Sequence, residues 1–203
     1  MRHSAKRSSA NFASIWHRLG KGDVAYFHYC GHGARSPAAP EFLEYDLTTK
    51  DEGLVCFDSR EPGHFDLADK ELARLIDELA AREAHVVVSL DCCHSGTATR
   101  SFDGLSNAGA RAAPGATYPP RPIETYIDGY YADFKRAGKP LASPRGRHML
   151  LAACDRRQLA KEDLADHRGI FTTRFFDVLR HAPDGISYAD LFVNYGEITV
   201  TVH

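Results

Sequence analysis

The apolar positions follow two rhythms. Phe12, Ile15, Trp16 and Leu19 recur at i, i+3, i+4 and i+7, which predicts an amphipathic helix over residues 9–19, ended by Gly20 and Gly22. Residues 68–83, ADKELARLIDELAARE, set Leu72, Leu75, Ile76 and Leu79 on one helical face and give the clearest helix. HVVVSL (85–90) is different: apolar and β-branched, with no polar alternation. That pattern predicts a central parallel strand covered on both faces. DVAYFHY (23–29) and RHMLLAAC (147–154) read as further strands, and EGLVCF (52–57) as a weaker one. GIFTTRFFDVLR (169–180) and SYADLFVNY (187–195) read as helices. Strands alternating with helices predict an α/β sandwich with a mainly parallel sheet.

Residues 98–146 break the rhythm. They are rich in Ala, Gly, Pro and Arg, as in GARAAPGATYPPRP, and are expected to be a long flexible linker. The 203 residues then form one domain: a larger part over 1–97, the linker, and a smaller part over 147–203.

A net charge of −2 gives no reason to expect nucleic acid or an anionic membrane as partner, and no apolar run is long enough to span a bilayer. The basic, Ser-rich start MRHSAKRSSANF has no apolar core of the secretory kind. Five cysteines, an odd number without regular spacing, argue against a disulfide framework and for a reducing, cytoplasmic setting.

Two motifs carry candidate chemistry: YCGHG (29–33) and DCCHSG (91–96), each at the C-terminal end of a predicted strand. Sites in open parallel sheets form beyond those ends. A free thiol has a pKa of about 8.5 and needs a neighbouring base to react at neutral pH. His32 is the candidate base, and the glycines around it let the backbone turn and approach a substrate. The N–H groups of Gly33 and Cys93 are candidate oxyanion donors. Extended backbone sends alternate side chains to opposite faces, so Asp91 and Cys93 share one side and Cys92 takes the other. The same rule pairs Cys30 with His32, and alternation alone does not say which face is active. A zinc site is disfavoured, because the consecutive Cys92, Cys93 and His94 do not easily converge on one tetrahedral ion.

Together, YCGHG and SLDCCHSG resemble the histidine and cysteine motifs of the caspase-like cysteine peptidases, in the metacaspase and orthocaspase branch. DEGLVCFD (51–58) is similar to the acidic segment between those motifs, and GRHMLLAACDRRQLAKE (146–162) to the start of the small-subunit region. The resemblance implies a three-layer α/β/α sandwich. It implies His32 as general base and acid, Cys93 as nucleophile and Cys92 as its structural neighbour. Asp91 is then expected to line the pocket for the residue before the scissile bond (P1), with Cys30 at another pocket position. A carboxylate there pairs with Arg or Lys and repels Asp, so protein or peptide substrates cut after Arg or Lys are expected. Basic residues of the linker, Arg121 and Arg145 among them, are candidates for self-cleavage.

Three features depart from the family pattern. An apolar strand usually precedes the histidine strand, and its absence here suggests a fragment or a degenerate copy. Many metacaspases bind calcium; Asp51 and Glu52 are the candidates here, but Arg100 stands at a later ligand position and cannot ligate a cation. No metal site is assigned and no cofactor is expected. The tail GEITVTVH does not match the usual ending. The alternative readings are a non-catalytic caspase-like module that binds a protein partner, and a separase-like or gingipain-like peptidase.

Overall fold

A computed structural model describes residues 18–44, 49–93, 113, 119–141, 146–154, 160–163, 168–193 and 199–202. The 9–19 helix, apart from its last two residues, and His94, Arg100 and Arg145 lie outside the described residues.

The main sheet joins β1 (Val24–Cys30), β5 (His85–Asp91), β6 (Met149–Ala152) and β9 (Thr199–Val202) in the order β1-β5-β6-β9. β1 and β6 both run parallel to β5, which is the central strand its unbroken apolar run predicts. β9 lies antiparallel on β6, so part of the unusual tail is a sheet strand.

Alternation along β5 divides the molecule into layers. Val86, Val88, Leu90 and Cys92 pack with Ile76 and Leu79 of α1 (Asp69–Ala80). Val87 turns the other way, into a cluster with Phe171 and Phe175 of α3 (Ile170–His181) and Leu191 of α4 (Tyr188–Val193). Helices on both faces of a largely parallel sheet make the α/β/α sandwich that the sequence implies.

EGLVCF is not part of this sheet. Its strand is β3 (Lys50–Leu54), which pairs antiparallel with β2 (Gly33–Pro37) and β4 (Leu67–Ala68) in a separate three-stranded sheet. β7 (Glu162–Asp163) and β8 (Arg168–Gly169) form a small antiparallel ribbon that leads into α3.

The expected linker is not structureless where it is described. Short 3-10 turns over Ile123–Gly129 lead into α2 (Tyr130–Arg136). Tyr126 and Tyr131 are buried there against Phe42 and Ala68. Buried charge fixes this annex to α1. Arg121 donates to both carboxylate oxygens of Glu71, at 2.8 and 2.9 Å. Glu71 also accepts the N–H groups of Ala68 and Ile127. Such a fork-to-fork pair is geometrically specific as well as strong. A buried Arg121 is also withdrawn from cleavage, whereas Arg136 lies exposed on α2.

Candidate active site

The register of β1 on β5 brings the two motifs together. Cys30 stands opposite Asp91, and the N–H of Gly31 donates to the Asp91 carbonyl at 3.2 Å. Residues 29–33 and 91–93 therefore leave the sheet side by side at one rim. Gly33 then passes so close to the main-chain carbonyl of Cys93 that a β-carbon would overlap it. Only glycine fits that approach. The turn carrying His32 is held from behind. The His32 carbonyl accepts the Val55 N–H at 3.0 Å and lies 2.8 Å from the Tyr29 hydroxyl. Burial pushes that hydroxyl well above its usual range, so Tyr29 stays a donor.

The two thiols diverge as strand alternation requires. Cys92 belongs to the α1-side core. Cys93 lies on the other side with Cys154 and Ala160. His32 is exposed, whereas Cys93 is 0% exposed and its thiol donates to the Ala160 carbonyl at 3.3 Å. The structure thus brings the described ends of the two motifs together and buries the sulfur against Cys154 and Ala160.

Asp91 is also 0% exposed. Its Oδ2 accepts both the N–H of Thr172 at 3.0 Å and the Thr172 hydroxyl at 2.6 Å. Thr172 is in the first turn of α3, where N–H groups have no partner within the helix. Gly169, at the N-cap, has no side chain to serve them, and a β-carbon there would collide with the Asp91 carboxylate. Asp91 fills the capping role from another strand and sets a negative charge at the positive end of the helix. Cys30 is exposed beside it, with Sγ 3.8 Å from Oδ2.

The calcium candidates do not fit a divalent cation. Asp51 is buried with its Oδ1 3.0 Å from the Lys70 ammonium, and its Oδ2 accepts the Tyr126 hydroxyl at 2.5 Å. Glu52 pairs with Arg35 at 2.6 Å. Each carboxylate is thus committed to a cation of the chain itself. Among the described residues, no group of three or more His, Cys, Asp or Glu side chains is arranged to hold a metal ion.

Comparison with known proteins agrees with the two-motif rim. Residues 3–101 match the metacaspase, peptidase C14 domain family. Over those residues, just under half of the chain, it is similar to that family. It is 31% identical over 98 residues to Metacaspase-9 of Arabidopsis thaliana, an overlap covering 45% of this chain and 27% of that protein. The chain thus matches about a quarter of the length of this curated relative. A crystal structure of a Geobacter sulfurreducens protein superposes with a TM-score of 0.65 at 22% identity, covering 99% of this chain and 73% of the other. That likeness is one of fold.

Sequence reasoning missed three polar residues around Asp91. They are Thr172, His28 and Ser89, with His28 Nδ1 3.1 Å from Ser89 Oγ. Ser89 was the available signal, as a hydroxyl within an otherwise apolar strand run. It is 0% exposed, and buried hydroxyls take partners.

Proposed function

We propose that this chain is a cysteine endopeptidase that cuts protein or peptide substrates after Arg or Lys. The observation that supports it most is the tight approach of Gly33 to Cys93, which brings the histidine turn and the cysteine strand end to one rim. In this reading Cys93 attacks the scissile carbonyl while His32 takes the thiol proton. The N–H groups of Gly33 and Cys93 hold the oxyanion. The tetrahedral intermediate collapses as His32 protonates the leaving amine. Water then attacks the acyl-enzyme, with His32 as base, and frees Cys93. Asp91 and Cys30 receive the basic P1 side chain. Substrate must displace Ala160 from the thiol, which is buried and donates to the Ala160 carbonyl. No metal takes part, and the five cysteines, kept as thiols, suit a reducing, cytoplasmic compartment.

Active-site labelling tests this reading. A peptidyl-arginine chloromethyl ketone is expected to alkylate Cys93, located by mass spectrometry, and to spare Cys93 in a His32→Ala variant. Alkylation of Cys92 instead, or an equal rate with an aspartyl reagent, would refute it.

The second reading, a non-catalytic module, draws on β1. Among the described residues β1 is a border strand of the sheet, and Val24 and Tyr26 on it are 62% and 47% exposed. Border strands invite strand addition. A concentration-dependent oligomer whose Cys93 ignores the arginyl reagent would favour that reading.

A further inference from the structure

Three polar groups lie between β1, β5 and α3 that the proposed chemistry does not use. We infer that Thr172, backed by His28 and Ser89, is a positioning residue that orients the Asp91 carboxylate toward a basic P1 side chain. The inference rests on the reading of Asp91 as the recognition carboxylate.

The hydrogen bonds run in one direction. A carboxylate only accepts, so the Thr172 hydroxyl donates its proton to Asp91 Oδ2 at 2.6 Å. The Thr172 oxygen is then an acceptor, and His28 Nε2 stands 3.5 Å from it, a long contact. With the proton on Nε2, His28 Nδ1 accepts from the Ser89 hydroxyl at 3.1 Å. With that tautomer, every donor in the row from Ser89 to Asp91 points toward the carboxylate. Tyr26 stacks on the His28 ring, and Phe176 meets its edge from α3. These rings pack against the imidazole and limit its rotation.

A helix cap alone does not account for this arrangement. The Thr172 N–H at 3.0 Å already meets the helix's need. The hydroxyl adds a second bond to the same oxygen. Carboxylate torsions are soft, and one bond leaves rotation about Cβ–Cγ open. The two Thr172 donors on Oδ2, with the longer Cys30 thiol contact beside them, fix the plane of the group and thereby the direction of Oδ1. Bidentate recognition of a guanidinium depends on that plane.

The test uses the whole chain and two matched peptides, with Arg or its neutral analogue citrulline at P1. Wild type is expected to cut the Arg peptide far faster. Thr172→Val keeps the backbone N–H cap and removes only the hydroxyl. It is expected to raise KM for the Arg peptide about tenfold, leave kcat within about twofold, and leave the citrulline peptide unchanged. Thr172→Ser restores the wild-type KM. Unchanged Arg kinetics in Thr172→Val, or an equal loss on both peptides, overturns the inference while Asp91 recognition stands. A wild type that does not prefer Arg overturns the recognition reading and the inference together. Thermal unfolding checks each variant, and Thr172→Ala replaces a Thr172→Val chain that does not fold.

Discussion

Gly33 rests against the main-chain carbonyl of Cys93, with no room between them for even one β-carbon. The neighbour is backbone, so it cannot rotate away as a side chain would. Gly33→Ala is therefore expected to force the two motif loops apart. Overpacking of this kind costs about 1–3 kcal/mol. Peptide hydrolysis should be lost even where thermal unfolding still shows a folded chain. Full activity in Gly33→Ala would show that the close approach is not needed.

The cysteines differ sharply in access. Cys30 is exposed, whereas Cys92, Cys93 and Cys154 are 2%, 0% and 2% exposed. A small neutral alkylating reagent is expected to modify Cys30 well before Cys93. A peptidyl-arginine reagent, which displaces Ala160 as it binds, should reverse that order. Mass spectrometry of time points under both reagents checks it.

Arg121 ties the 119–141 annex to the body of the protein. It is 5% exposed and forked onto Glu71, and its guanidinium lies 3.9 Å from the Tyr126 ring centroid. Arg121→Ala leaves Glu71 buried without its partner, a loss of about 3–5 kcal/mol in comparable pairs. Denaturant unfolding should show a loss of that order, and limited proteolysis should open the annex first. A change below about 1 kcal/mol would fit a surface pair and not this one.

Asp51 predicts indifference to calcium. Its carboxylate is shared between the Lys70 ammonium and the Tyr126 hydroxyl, which burial and the Asp51 charge hold protonated. Millimolar calcium is expected to leave both the unfolding temperature and hydrolysis unchanged. A clear upward shift in unfolding temperature would mean that calcium binds a site elsewhere in the chain.

The layers of the fold were legible because their signals are local. HVVVSL announces a strand covered on both faces, and Leu72, Leu75, Ile76 and Leu79 announce the helix that covers one of them. Alternation alone also separated Cys92 from Cys93. The 119–141 annex was not legible. Its order comes from Arg121 with Glu71, 50 residues apart, and Tyr126 with Asp51, 75 apart, and neither pair leaves a periodic trace. EGLVCF looks like any short apolar strand, and nothing in it says that it joins a separate sheet. The setting of Asp91 was hidden for the same reason as the annex: Thr172 reaches it from 81 residues away, through the packing of α3 on the sheet.

Turnover of fluorogenic peptides ending in Arg, Lys or Asp is the most direct test of the account, run on the wild-type chain beside Cys93→Ala and Cys92→Ala. Cleavage is expected after Arg and Lys and not after Asp, with abolition by Cys93→Ala and survival in Cys92→Ala. A folded wild type that cuts none of the three peptides, or one whose activity survives Cys93→Ala, would contradict it.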